Sequence, residues 1–105
     1  MNTKETYKIH EEGIAYLVSR LEKKGYTTIE TNVPYHVKVG EEYVDGEIDV
    51  MAIRGLNIHL YEVKYKHSGG KERKARSQLK RCIDTHPNLK MRGIYFTCDG
   101  VIKRI

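Results

Sequence analysis

The sequence predicts an α/β fold, a small mixed β-sheet flanked by helices in the order α-β-β-β-α-β-β with an extra hairpin. Three observations carry that expectation. Apolar residues recur at helical spacing near the start (Ile14, Leu17, Val18, Leu21) and again later (Ala75, Leu79, Cys82, Ile83). Segments rich in β-branched and aromatic residues lie between these stripes, and a nearly continuous apolar run, Gly93-Ile94-Tyr95-Phe96-Thr97-Cys98, follows the second. The strand, helix and strand from Ile58 to Cys98 form a crossover unit, which sets its two strands parallel. With 105 residues, 39% hydrophobic and 31% charged, the chain reads as a single domain, 1–105, around one modest core.

The first helix follows from its stripe at i, i+3, i+4 and i+7. Gly25 ends it after Lys23 and Lys24, cations that suit the negative end of the helix dipole. Continued backwards, the stripe reaches Glu11 and His10 and then Tyr7, while Glu12 sits about 100° around the helix and faces water. Tyr26–Thr31 is a strand, broken by Asn32-Val33-Pro34. Tyr35–Val39, the turn Gly40-Glu41-Glu42 and the return Tyr43-Val44 make the hairpin. Along Glu47–Ile53, Ile48, Val50 and Ala52 occupy one side and Glu47, Asp49 and Met51 the other. Arg54-Gly55-Leu56-Asn57 turns the chain into Ile58–Lys66, with Tyr61, Val63 and Tyr65 on one face and Leu60, Glu62, Lys64 and Lys66 on the opposite one. After a flexible break at Ser68-Gly69-Gly70, the second helix runs from about Lys71 to His86 and stops at Pro87. Asp99-Gly100 is a tight turn before a short edge strand, Val101–Ile105.

Composition excludes several classes. No apolar run approaches a bilayer span, so no membrane association is expected. No charged-then-apolar amino terminus marks export, which makes the cytoplasm the expected compartment. Cys82 and Cys98 are too few for a disulfide framework and read as reduced thiols; with His86 they lack a fourth ligand at familiar zinc spacing. The charge is unevenly divided: residues 1–63 hold 7 basic and 11 acidic side chains, residues 64–105 hold 12 and 3. A basic half joined to an acidic half suits a polyanionic partner, nucleic acid first, because each neutralised phosphate releases counterions.

The chemistry gathers around Asp49, Glu62 and Lys64. Glu62 and Lys64 share a strand face because side chains alternate. If Gly55-Leu56 is a two-residue turn, with Gly first as a type II′ turn prefers, Asp49 falls directly opposite Glu62 with β-carbons about 4.5–5.5 Å apart. Like charges across a ladder repel, and a divalent cation with oxygen ligands removes that repulsion. Lys64 adjoins the pair. His10, beside Glu11, either touches the site or, as is commoner for such a residue, only packs, and His36, His59 and His67 are scattered. The tyrosines are assigned mainly to core-facing positions, which argues against a base-stacking platform.

These residues resemble the PD-(D/E)xK nuclease superfamily, which has a restriction-endonuclease-like core, and within it the archaeal-type Holliday junction resolvases. The resemblance rests on Glu11 followed by Ile14, Leu17 and Val18, on Gly46-Glu47-Ile48-Asp49-Val50, on Tyr61-Glu62-Val63-Lys64 thirteen residues after Asp49, and on Gln78 in a basic second helix. The chain departs from the pattern in having Glu47-Ile48 where a proline often precedes the aspartate, a longer segment from Thr31 to Gly46, and an extra helical turn between Glu11 and Gly25, which leaves Glu12 as the alternative helix carboxylate.

The resemblance implies hydrolysis of a DNA phosphodiester with Mg2+ or Mn2+. Asp49, Glu62 and the Val63 carbonyl would hold the metal, with Glu11 completing its ligands or ordering its waters. Lys64 would stabilise developing negative charge or hold the attacking water, and Gln78 would orient Lys64 or that water. Lys66, Lys71, Arg73, Lys74, Arg76, Lys80 and Arg81 would contact phosphates without reading bases. Cutting a four-way junction needs two symmetric incisions, hence a homodimer. The competing readings are a nuclease acting at DNA ends or single strands and a catalytically silent DNA-binding module. The intact Glu11, Asp49, Glu62 and Lys64 set argues against the last.

Overall fold

In the computed structural model the backbone is described for residues 3–105 and the side chains from His10 onward. Tyr7, the expected start of the first stripe, lies outside the described side chains. The apolar spacings produce the elements in the expected order: α1 (Thr3–Lys23), β1 (Thr28–Val39), β2 (Glu42–Arg54), β3 (Asn57–Lys64), α2 (Gly69–Asp84), β4 (Lys90–Thr97) and β5 (Ile102–Arg104). The five strands form one mixed sheet in the order β1-β2-β3-β4-β5. β3 and β4 are parallel, as the crossover through α2 requires, and every other neighbouring pair is antiparallel.

Alternation along β3 sorts the core into two layers. Tyr61 and Val63 pack with Ile14, Leu17 and Leu21 of α1 and with Ile94 and Phe96 of β4. Leu60 packs on the other face with Leu79 and Cys82 of α2. Cys98 lies against the α1-side core, so the two cysteines sit on opposite faces of the sheet. α1 approaches the sheet closely at Gly13, where a Cβ would stand 2.5 Å from Cys98 Sγ. Among the described residues no helix is long and apolar enough to cross a membrane.

The turn between β2 and β3 has two residues, because Arg54 pairs with Asn57. Gly55 takes φ +61°, as the first position of the expected turn demands.

Four local expectations are corrected. Asn32-Val33-Pro34 does not end a strand: β1 runs through it, Pro34 pairs with Glu47, and the expected hairpin is the distal half of one long β1–β2 ribbon. Pro is tolerated because β1 is an edge strand. Ile48 does not share a side with Val50 and Ala52; it packs under α2 while they pack under α1. β1 changes face at the same level, with Ile29 on the α1 side and Val33 and Tyr35 on the α2 side. The cause is local: Asn32 adopts φ 54°, and the Asn32–Asp49 position is missing from a ladder that pairs Thr31 with Val50 and Val33 with Ile48. Ser68-Gly69-Gly70 is not a flexible break, since Ser68 caps α2 by accepting the Lys71 N–H at 3.1 Å and the glycines form the first turn. Of the tyrosines with described side chains, only Tyr61 and Tyr95 are buried.

Candidate functional site

The ladder between β2 and β3 ends at Val50 opposite Tyr61, one step short of Asp49 and Glu62. Beyond that step the main chains stop pairing, and the Asp49 side chain enters the gap: its Oδ2 accepts the Val63 N–H at 2.8 Å. A carboxylate thus does the work of the next main-chain carbonyl. The face change at Asn32 and Asp49 is what makes this insertion possible, because it releases Asp49 from regular strand geometry.

Glu62 is 2% exposed, and its Oε1 has no hydrogen-bond partner among the described residues. Its Oε2 lies 3.7 Å from Lys64 Nζ, whose side chain is one-third exposed. Burial, and then the neighbouring Asp49 charge, push the Glu62 carboxyl up to about 8; Lys64 and the Asp49 main chain offset only part of this. The expected group of two acids with an ammonium beside them is therefore assembled at the end of β3.

His10 is the residue that sequence reasoning undervalued. Its Nε2 lies 2.6 Å from the Val63 carbonyl oxygen and 3.7 Å from Asp49 Oδ2. A carbonyl can only accept, so Nε2 donates the proton. The signal was in the stripe itself, since His10 stands four residues before Ile14 and seven before Leu17. Glu11 sits further out, with Oε1 4.0 Å from His10 Nδ1, and it touches the site through that ring. Glu12 is exposed and lines a separate hollow with Tyr16 and Cys98, as the helical geometry required.

Among the described residues, no three His, Cys, Asp or Glu side chains form a ready metal-holding group. The oxygens available at the fork are those of Asp49 and Glu62, with the Val63 carbonyl beside them. Gln78 is not at Lys64: its Nε2 donates to the Glu47 carbonyl at 2.8 Å and ties α2 to β2 two residues before Asp49. Of the basic residues expected to meet phosphate, Lys66, Lys71, Arg73, Lys74, Arg76 and Lys80 are exposed and Arg81 is half-buried. Arg76 is engaged by Glu72 at 3.2 Å, and Glu72 also holds Lys103 at 2.7 Å. Arg73, Lys74 and Arg81 line an open groove of about 480 Å³ between α2 and the distal β1–β2 ribbon.

No protein-family model matches the chain, and no curated protein matches it. Its fold is similar to solved structures. Protein VC1899 from Vibrio cholerae superposes with a TM-score of 0.59 at 18% identity, over 81% of this chain and 23% of that one. A protein of unknown function, AF1548, gives 0.59 at 28% identity over 85% and 46%. SSO0001 gives 0.57 at 22% identity over 92% and 50%. The chain spans half or less of each of these proteins, and the likeness is one of fold.

Proposed function

We propose that this chain is a divalent-metal-dependent DNA endonuclease of the PD-(D/E)xK kind, cutting phosphodiester bonds in branched DNA as a cytoplasmic homodimer. The observation that carries the reading is the orphaned Glu62 Oε1, an oxygen buried without a partner beside a second carboxylate. A buried acid of this kind costs stability unless it keeps its proton or meets a cation. The donor set fits a hard divalent ion: the carboxylates of Asp49 and Glu62 with the Val63 carbonyl, all oxygen. Mg2+ or Mn2+ held there would polarise a phosphate oxygen and supply a water of lowered pKa.

The chain's own residues do the rest. The Val63 N–H fixes Asp49 in the gap, and His10 donates to the Val63 carbonyl beside it. Lys64 favours the charged form of Glu62 and offers an ammonium to negative charge that develops on the phosphate. Glu11 orients the His10 ring, and Gln78 holds the β2 segment that delivers Asp49. The exposed cations of α2 supply sequence-independent phosphate contacts.

The test is cleavage of four-way junction, linear duplex and single-stranded DNA with Mg2+, Mn2+ or chelator, alongside Asp49→Asn. Expected are metal-dependent cutting of the junction, loss of about 100-fold or more of the rate in the variant, and DNA affinity nearly unchanged. Equal cutting of all three substrates would remove the preference for branched DNA. Binding without cutting under either metal would remove the enzyme.

A further inference from the structure

α1 leaves part of the sheet uncovered near its carboxyl end. There, at the end of β3 away from Glu62, an apolar hollow of about 240 Å³ opens beside a polar cleft of about 570 Å³, and the two share Lys24, Tyr26, His59, Arg92 and Arg104. The lining contains six cations, Arg20, Lys24, Arg54, Lys90, Arg92 and Arg104, and no carboxylate. None of the six has an ion-pair partner among the described residues, whereas Lys64, Arg76 and Lys103 each have one. The register explains the crowding: His59 pairs with Arg92, and Arg104 pairs with Ile94 one same-face position further along β4. Two guanidiniums and an imidazole therefore stand on adjacent strands, a placement that repels itself without an anion between.

Part of this has a purely structural role. Arg20 and Lys24 suit the negative end of α1, and Arg54 donates to the Lys24 carbonyl at 3.2 Å while lying 5.2 Å from the Tyr26 ring centre. No such role accounts for Arg92 and Arg104. The floor between the cations is apolar and aromatic, formed by Leu17, Tyr61, Ile94 and Phe96, with Ile102 left 57% exposed at its edge. The Tyr26 hydroxyl is tied to His59 Nδ1 at 2.8 Å, which holds both rings in place. Burial and the charges of Arg92, Arg54 and Arg104 hold the His59 imidazole below its usual value, consistent with a positive field that no carboxylate among the described residues lining the cleft neutralises.

We infer that this cleft binds a nucleoside phosphate, its phosphate on Arg92, Arg104 and Lys24 and its base in the hollow over Tyr61 and Phe96. Guanidinium forks suit phosphate, and aromatic faces suit a base. The ligand is a free nucleotide or one nucleotide of a strand. The site lies about 10 Å back along β3 from Glu62, on the opposite face of the sheet. It stands apart from the proposed nuclease centre and does not depend on it.

Amide and side-chain NMR titration of the whole chain with inorganic phosphate, adenosine 5′-monophosphate and a 5′-phosphorylated dinucleotide tests the inference. Expected are saturable shifts at His59, Arg92 and Arg104 with a nucleotide probe, tighter than with phosphate alone. The combined Arg92→Glu and Arg104→Glu changes should weaken binding about tenfold or more, and Asp49→Asn should leave it unchanged. Lys24→Glu, on the exposed helix end, provides a second variant should the strand changes disturb folding, and it should weaken binding in the same direction. Saturation by the mononucleotide identifies a free ligand, and saturation only by the dinucleotide identifies a strand. Equal affinity for inorganic phosphate would overturn the base-binding hollow. Absence of shifts with every probe, or shifts that survive both sets of variants, would overturn the site.

Discussion

Glu62 concentrates the electrostatic problem of this protein in one side chain. Its carboxyl titrates near 8 in the folded chain, against 4.5 for an unperturbed glutamate, because it is buried and faces Asp49. Folding therefore takes up a proton wherever the pH lies between these values, and the unfolded chain binds fewer protons than the folded one. Stability from this group is full below about 4.5, declines as the pH rises, and is lost once the pH passes about 8. In chelator, thermal melts should show a midpoint that falls from pH 6 to pH 9, and Glu62→Gln should flatten that dependence. An unaltered slope in the variant would mean that Glu62 is not the group responsible. Added Mg2+ should raise the midpoint more at pH 9 than at pH 6, since a cation binds the carboxylate and not the acid. Glu62 and Lys64 were legible in the sequence because alternation along a strand needs no partner. His10 was harder to assign, since its contact with Val63 spans 53 residues and depends on how α1 docks.

At the level of elements, the site exists because α1 lies close enough to the sheet for His10 to reach β3. Gly13 permits that approach. A methyl group there would meet Cys98 Sγ, so Gly13→Ala must push α1 outward or displace the sulfur. Overpacking of this sort costs about 1–3 kcal/mol, against about 1 kcal/mol gained from replacing glycine in a helix. Gly13→Ala should therefore lower stability by about 1 kcal/mol net, and adding Cys98→Ala should restore it, as chemical denaturation would measure. Full stability of the single variant would show that the helix has slack. The β2–β3 register was readable from Gly55-Leu56 alone, because a two-residue turn determines every pair above it. The face change at Asn32 and Asp49 was not readable. Strict alternation assigned Ile48 and Val50 to one side, and only the left-handed Asn32 opposite Asp49 breaks that alternation.

For the molecule as a whole, the division of charge resolves into separate surfaces. The cations of α2 look outward beside the groove that Gln78 lines, while Lys90 and Arg92 of β4, Arg104 of β5 and Lys24 after the end of α1 gather around the cleft on the other face. If the α2 surface meets DNA, each lost phosphate contact reduces the slope of log affinity against log salt by about 0.9. Arg73→Ala with Lys74→Ala should reduce that slope by about 2, and Arg76→Ala, whose guanidinium is held by Glu72, should reduce it less. Fluorescence anisotropy between about 50 and 200 mM salt measures both. Equal effects from all three positions would mean that the Glu72 contact is given up on binding DNA.

The amino-acid sequence alone determined the element order, the parallel crossover, the two-residue turn and the neighbourhood of Asp49, Glu62 and Lys64. Each of these follows from short-range periodicity or from the stereochemistry of a single turn. The tertiary structure decided what the side chains touch: Asp49 on the Val63 N–H, His10 on the Val63 carbonyl, Glu62 Oε1 without a partner among the described residues, and six cations around one cleft. Those contacts depend on the docking of elements far apart in the chain, where packing of large surfaces outweighs any local preference.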